Sequence, residues 1–200
     1  MKPITVSLLL LLSALSAAAQ QYFVHYETQC FLDGTSNIHN WTATVSGVSG
    51  EFWLGKEFVK KTVPAKGMKL EKAVVRFPVK NIDGGRGVTM NDRITEALKE
   101  PQYPQILFNM DEGIVTSVED AVLRTFTLQV RGTLSIAGTS RPVTLDLKAQ
   151  RLADGRYKFS GQKALKMTDF GIEPPTAMFG QIETGDDLMF RFDLIIYPQA

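Results

Sequence analysis

Side chains that could support metal binding or hydrolysis are few in this sequence and lie far apart. There are two histidines, His25 and His39, and one cysteine, Cys30. No pair of Cys or His residues has the spacing of a zinc-binding motif, and hydrolytic chemistry would need a cluster of such groups. Two carboxylates that are distant in sequence can still meet in a fold, so an acid–base mechanism of that kind stays open. The residue content therefore favours a protein that is not an enzyme and needs neither metal nor cofactor.

The beginning of the chain has the features of an export signal. Lys2 is followed by an apolar run over residues 4–12 and by the small residues 17–19. This order is typical of a secretory signal peptide, here residues 1–19, cleaved before Gln20. The apolar run is about half of the ~20 residues that span a bilayer, so no stable membrane anchor is expected. We therefore predict an exported, periplasmic protein whose single domain covers residues 20–200.

Charge and cysteine content narrow the class of protein further. The chain has 22 basic and 21 acidic residues, and removal of Lys2 with the leader leaves 21 of each. Without a basic stripe or excess, nucleic-acid binding is not expected. Cys30 has no partner for an internal disulfide, so the exported domain must rely on its apolar core. We expect Cys30 itself to be a buried and unreactive side chain.

Alternating apolar and polar residues indicate half-buried β-strands along the whole chain. The clearest run covers residues 122–136, in which the even positions are mostly apolar and the odd positions polar. A turn at residues 137–140 joins it to a second run over residues 143–150, which predicts a hairpin. Further strands are predicted over residues 22–32, 38–48, 51–59, 72–79, 105–111, 156–162 and 188–196.

One helix and one long loop interrupt these strands. Asn91 or Asp92 can cap a helix whose apolar face includes Ile94 and which ends before Pro101. We expect this helix to plug or brace an open end of the sheet. Residues 169–185 form the longest irregular stretch, and loops of this length often surround a binding site.

Eight or so antiparallel strands with one apolar face can form a two-layer sandwich or a closed barrel, and the pattern alone does not separate the two. Four stretches, taken in order, resemble the YceI-like family of exported lipid-binding proteins. They are GTSNIHNW at 34–41 with GEF at 50–52, residues 90–99 continuing into YPQILF at 103–108, GTLSIAGTSRPV at 132–143, and MTDFGI at 167–172.

This resemblance implies an all-β fold, an extended antiparallel eight-stranded barrel like that of lipocalins, with one short α-helix. The guests of the family are polyisoprenoids, such as isoprenoid quinones and prenyl phosphates, with other long-chain amphiphiles also possible. The resemblance thus implies a periplasmic binding or carrier protein for such a lipid, held in the apolar interior of the barrel. Family members often pair, so a homodimer is an expectation by likeness alone.

Candidate ligand contacts follow from the predicted inward faces and from the long loop. His39 shares a strand face with Trp41 and is either the polar contact for a head group or a buried histidine bonded to a neighbouring strand. The loop residues among the candidates either contact the guest or pack on the barrel. The full set is His39, Trp41, Val45, Phe52, Phe77, Phe108, Phe126, Leu128, Phe170, Met178, Phe179 and Phe190.

Two other functions stay open at this point. One is a structural or stress-protective envelope protein whose barrel is filled by its own side chains. The other is an isomerase or dehydratase that acts on a fatty substrate. A barrel of about eight strands is just wide enough to be filled by side chains or to hold one slender ligand. An open apolar interior would therefore favour the carrier, and a filled interior the structural protein.

Overall fold

The computed structural model of the protein describes residues 19–199, so the leader predicted over residues 1–19 lies outside the described range except for Ala19. Within this range every strand pairing is antiparallel. The elements, in chain order, are β1 (Gln20–Val24), β2 (Gln29–Ser36), β3 (Asn40–Val45), β4 (Ser49–Leu54), α1 (Lys56–Lys60), β5 (Lys69–Pro78), β6 (Ile82–Asp83), α2 (Val88–Ala97), β7 (Gln105–Asp120), β8 (Thr125–Ile136), β9 (Thr139–Arg151), β10 (Tyr157–Lys166), β11 (Thr176–Ala177) and β12 (Ile182–Pro198).

The strands form eight lines around a closed ring, because three of the lines are each divided into two strands. β1 and β2 both run along β12, β1 beside residues 196–198 and β2 beside residues 184–193. In the second divided line, β4 pairs with β1 and β3 pairs with β2. In the third divided line, β5 pairs with β4 and β6 pairs with β3. The continuous strands β7, β8, β9, β10 and β12 complete the ring. The predicted all-β, antiparallel, eight-stranded barrel is therefore confirmed.

Period-two alternation places one face of each strand inside the barrel. In β8 the even positions from 126 to 136 point inward, as predicted, and the odd positions carry polar side chains. The predicted start of this strand at Val122 is wrong, because Val122 is 88% exposed. Asp120 Oδ1 accepts hydrogen bonds from the N–H groups of Val122 and Leu123 (2.7 and 2.9 Å) and holds a turn between β7 and β8.

The hairpin predicted between β8 and β9 is confirmed, with a shorter turn than expected. Ala137 and Gly138 form the turn with φ angles of 47° and 86°. Positive φ at two central residues is the conformation of the tight turns that match the twist of hairpin strands. Thr139 and Ser140, which were assigned to the turn, already belong to β9.

Two of the predicted strands are interrupted in the structure. Residues 22–32 divide into β1 and β2 at a turn in which the N–H of Thr28 donates to the carbonyl oxygen of His25 (3.0 Å). Residues 51–59 end as a strand at the close of β4 and continue as α1, a helix that was not predicted. The helix turns Phe58 beneath the barrel, where it is 2% exposed. Burial of the Phe58 ring stabilises the helix, although the alternating sequence pattern favours a strand here.

The predicted helix is present as α2, although it begins earlier than its predicted cap. It starts at Val88 after Gly87, whose φ is 80°. Asn91 does not cap it, because its side chain instead accepts the N–H of Gly84 (2.9 Å) and donates to Asp83 (3.2 Å). No helix within residues 19–199 is both long enough and apolar enough to cross a membrane.

The two ends of the barrel differ. At one end, here called the closed end, Phe58 of α1 packs against Phe126 and Tyr157, with ring centroids 6.0 and 5.8 Å apart. Tyr22 lies against Tyr157 at 5.7 Å and completes this plug. The other end, here called the mouth, carries the β2–β3 turn, α2 and residues 167–181. The plug thus leaves the mouth as the end at which the interior meets solvent.

The ring has one partly unpaired seam, between β9 and β10. Tyr157–Ser160 pair with Lys148–Arg151, but the upper part of β10, residues 161–166, has no backbone pairing with β9. Side chains bridge part of this gap, since Lys163 Nζ donates to the carbonyl oxygen of Thr144 (3.1 Å). Unpaired backbone groups beside a solvated gap open more readily than a continuous ladder.

Hydrogen exchange should therefore differ within a single strand. We expect the β9-facing amides of residues 161–166 to exchange at least about 100-fold faster than those of residues 157–160, because the former lack a partner strand. Amide exchange followed by NMR or mass spectrometry checks this. Equal protection along the whole of β10 would contradict the seam.

Candidate ligand-binding cavity

The interior of the barrel contains two adjoining chambers. The inner chamber lies between the plug and the middle of the barrel and holds about 780 Å³ of atom-free space, part of which is open to solvent. The outer chamber lies between the middle of the barrel and the mouth and holds about 1460 Å³, part of which is open to solvent. Four residues line both chambers: Phe77, Leu134, Leu165 and Phe190. The two chambers therefore adjoin at these four side chains, here called the constriction, and together they are called the cavity.

The constriction is largely aromatic. Phe77 and Phe190 meet edge to face with ring centroids 5.4 Å apart, and Phe190 stacks on Phe192 at 5.5 Å. None of these three rings is fully buried in the structure, because each borders empty space on one side. Rings held by one another but free on one face can turn to admit a chain-like molecule.

The inner chamber is almost wholly apolar. Its lining residues come from seven strands and include Phe52, Phe108 and Leu128, and Lys163 is its one charged lining residue within the described chain. The alternation of β10 points Lys163 inward, yet its ammonium group turns outward to the Thr144 carbonyl at the seam. Its methylene stem thus covers apolar surface while the charge stays hydrogen-bonded.

Glycines on the inner wall keep the aromatic rings flat against the barrel. A Cβ atom at Gly34 would overlap the indole of Trp41, and one at Gly132 would overlap the ring of Phe108. Gly34 and Trp41 are direct cross-strand partners. Because each ring occupies the space above a glycine, it fills the wall and leaves the axis of the barrel open.

The outer chamber is built from elements at the mouth. Helix α2 contributes Ile94 and Ala97, the 167–181 segment contributes Phe170, and β3 contributes Trp41. The indole Nε1 of Trp41 donates to the carbonyl oxygen of Thr35 (3.0 Å), which fixes the ring across the wall. The expectation that α2 braces an open end agrees with this arrangement.

His39 lies at the rim of the outer chamber. It is exposed and belongs to the turn between β2 and β3, so it is not the buried histidine that was one of the two expectations. Ser36 Oγ donates to the carbonyl oxygen of His39 (2.9 Å) and accepts its backbone N–H (3.2 Å). The backbone of His39 is thus fixed by its own hairpin, and its imidazole Nδ1 lies 3.4 Å from Ser36 Oγ, so Nε2 is the ring atom that could contact a guest at the mouth.

Two basic residues at the mouth were not among the predicted site residues. Arg93 of α2 lines the outer chamber and has no ion-pair partner among residues 19–199. Lys166 also lines it, and its Nζ lies 2.7 Å from Asp187 Oδ1. Helical periodicity could have indicated Arg93, since it lies four residues before Ala97 on the inner face of α2. A basic residue on an apolar helix face is the signal that was missed.

Nine of the twelve predicted contacts line the cavity and three do not. Phe126 is fully buried in the plug instead, because Phe58 of the unpredicted α1 covers it. Met178 and Phe179 are 63% and 109% exposed, because a left-handed turn with φ of 51° and 57° directs them into solvent. The nine are His39, Trp41, Val45, Phe52, Phe77, Phe108, Leu128, Phe170 and Phe190.

Carboxylates lie outside the cavity in the described part of the chain. Neither chamber has an Asp or Glu among its lining residues, and residues 19–199 bring together no group of three potential metal ligands. Two carboxylates outside the cavity have polar partners on the surface: Glu27 Oε2 lies 2.6 Å from Arg156 Nη1, and Asp186 accepts hydrogen bonds from Thr168.

Comparisons with known proteins agree with this geometry. The YceI-like domain matches residues 27–195 of the chain. Among solved structures, Burkholderia cenocepacia BcnA is 17% identical, with 86% of this chain and 98% of that chain covered and a TM-score of 0.63. A polyisoprenoid binding domain from Saccharophagus degradans is 14% identical, with 89% and 98% covered and a TM-score of 0.66. The Campylobacter jejuni YceI protein is 17% identical, with 79% and 84% covered and a TM-score of 0.55.

At these identities the solved structures show a shared fold, and the domain match shows the family. The protein is thus a closed antiparallel barrel with an apolar cavity open at one end. It belongs to the YceI-like domain family. No curated protein matches the sequence.

Cys30 provides a test of the wall. Its side chain is 2% exposed, and burial, with a smaller effect of Asp193, raises the pKa of the thiol to about 12. The reactive thiolate is therefore scarce in the folded protein at about pH 8. We expect a thiol reagent to modify Cys30 only after unfolding by denaturant. Rapid modification of the native protein would show that this wall opens.

Alanine substitutions of Phe126 and Phe190 should distinguish a residue of the plug from a residue that lines the cavity. Phe126→Ala removes a fully buried ring and should lower the free energy of unfolding by about 3–5 kcal/mol. Phe190 borders empty space, so Phe190→Ala should lower the free energy of unfolding by less than half of that amount. An apolar fluorescent dye bound in the cavity should lose or change affinity only with Phe190→Ala. Denaturant melts and dye titration check both, and an equal stability loss in the two variants would contradict the assignment.

Proposed function

We propose that the protein is a periplasmic binding or carrier protein for a polyisoprenoid or similar long-chain lipid, and that it performs no chemistry on its cargo. One observation carries the proposal: two adjoining apolar chambers extend from the mouth to the plug. Residues lining it on β12 run from Ile182 to Leu194. That is roughly 40 Å of strand, or roughly 30 Å along the barrel axis at the usual strand tilt.

The shape and lining of the cavity favour a thin hydrocarbon chain. Each buried methylene contributes up to ~0.8 kcal/mol, so a few five-carbon units supply enough free energy to offset the ordering of a flexible chain. The constriction at Phe77 and Phe190 excludes a wide guest more than a narrow one. The likeness to a polyisoprenoid binding domain from Saccharophagus degradans supports the same class of cargo.

The polar end of the lipid would lie at the mouth. Arg93, His39 and Lys166 line the outer chamber there, whereas the one charged lining residue of the inner chamber in the described chain, Lys163, turns its ammonium group to the Thr144 carbonyl oxygen. A guanidinium without an ion-pair partner in the described chain suits a phosphate or a quinone carbonyl, because it donates several hydrogen bonds in one plane. We therefore place the head group beside α2 and the tail toward the plug.

The two rival functions are less well supported. A barrel filled by its own side chains would leave no cavity of this size, which weighs against a purely structural protein. An isomerase or dehydratase would need an acid or base beside the substrate chain, and the lining residues of the described chain include no carboxylate.

A matched pair of ligands tests the proposal. Geranylgeraniol and geranylgeranyl diphosphate share one tail and differ in the head group. We expect both to bind the purified chain, and Arg93→Gln to weaken the diphosphate by about 10-fold, the loss of roughly one charge-assisted hydrogen bond, while leaving the alcohol unchanged. Arg86→Gln is the matched control, because Arg86 is exposed, lies just before α2 and does not line the cavity.

Fluorescence displacement or calorimetric titration supplies the affinities. Failure of both ligands to bind wild-type protein would exclude the carrier for this class of lipid. Equal effects of Arg93→Gln on the two ligands would remove Arg93 from the head-group site and leave the tail site standing.

A further inference from the structure

Three large apolar side chains project into solvent from two adjoining turns at the mouth. Met178 and Phe179 lie in the turn between β11 and β12 and are 63% and 109% exposed, and Ile38 lies in the turn between β2 and β3 and is 62% exposed. Asn37 connects the turns, since its Nδ2 donates to the carbonyl oxygen of Gln181 (2.9 Å) and its Oδ1 accepts the N–H of Glu183 (3.1 Å). We call Ile38, Met178 and Phe179 the apolar rim.

The backbone of this turn is unfavourable for its residues. Met178, Phe179 and Gly180 have φ angles of 51°, 57° and 85°. Left-handed backbone is unfavourable for L-residues with large side chains, and such turns normally contain Asn, Asp or Gly. Met178 and Phe179 therefore combine backbone strain with exposure of apolar surface, and neither packs in the core of the barrel. Strain of this kind at an exposed position points to a role outside the fold.

We propose that the apolar rim inserts into the surface of a lipid bilayer and holds the mouth of the cavity against the membrane; the proposal rests on the carrier function above. A bilayer is the favoured partner because the apolar rim is continuous with the apolar lining of the outer chamber. Pro175 and Ala177 before the turn and Ile182 after it line the outer chamber. A lipid that leaves the bilayer along these residues reaches the cavity without exposing its tail to water.

A protein partner fits the rim less well. The rim is a convex tip of three side chains, whereas a specific protein interface covers roughly 800 Å² on each partner with a packed centre. Residues 177–181 carry no charged side chain, so attraction to anionic lipid is not required. We therefore expect shallow, reversible insertion that occurs on neutral lipid and changes little with salt concentration.

The turn offers a variant that should improve folding while removing docking. Met178→Asn with Phe179→Gly supplies residues suited to positive φ, so the melting temperature should stay equal or rise. Binding to phosphatidylcholine vesicles, measured by flotation of the full-length mature chain, should fall at least 10-fold. A purely structural role for the two side chains would instead lower the melting temperature.

The closed end supplies the matched control. Val122 and Leu123 are 88% and 59% exposed in the β7–β8 turn, far from the mouth. Val122→Asn with Leu123→Gly removes similar apolar surface and should leave vesicle binding unchanged. Phe179→Trp should keep binding and show emission that shifts to the blue and is quenched by brominated acyl chains, whereas Val122→Trp should not.

A second arm separates docking from cargo binding. Geranylgeraniol offered in detergent should bind the rim variant as tightly as wild type, while uptake of the same lipid from vesicles should slow at least 10-fold. Vesicle binding that is absent in wild type, or equal in wild type and rim variant, overturns docking and leaves the cavity assignment intact. Failure of the wild-type protein to bind geranylgeraniol would overturn the carrier function instead. Flotation with vesicles would still decide whether the rim inserts.

Discussion

The barrel depends on an apolar wall that closes into a ring, apart from the seam between β9 and β10, without its centre being filled. Eight lines of strand place one face inward, and at two inward positions a glycine leaves room for a large ring. Trp41 lies across Gly34 and Phe108 across Gly132, so these two rings lie against the wall. Everything that the protein can bind depends on this arrangement, because a ring turned toward the axis would divide the cavity.

The two ends of the barrel differ in how they bury their apolar side chains. At the closed end Phe58, Phe126 and Tyr157 bury one another and need no guest. At the mouth Trp41 and Phe170 line the outer chamber, and the half-buried Trp41 gains further burial when a ligand covers it. The cavity therefore has two different ends. The end at the plug has room for an apolar tail, and the mouth offers polar contacts.

Period-two alternation was sufficient to predict the strands, the hairpin of β8 and β9 and most of the lining, because burial of one strand face is a local property of the sequence. It could not predict α1, since Phe58 also fits an inward strand position and only the open barrel end beneath it favours a helix. Lys163 and Arg93 were missed because long basic side chains are assumed to be solvated, whereas their methylene stems cover the wall. Met178 and Phe179 were expected either to contact the guest or to pack on the barrel, and the left-handed turn that exposes them has no signal in the composition of the loop.

If the protein carries a lipid, the cavity should be occupied in the cell. Native mass spectrometry of the protein isolated from its own envelope without detergent exchange would detect the occupant. We expect one hydrocarbon-rich molecule per chain, released on unfolding and identifiable in an organic extract. Repeated recovery of the bare chain, from preparations whose cavity still accepts geranylgeraniol afterwards, would contradict it.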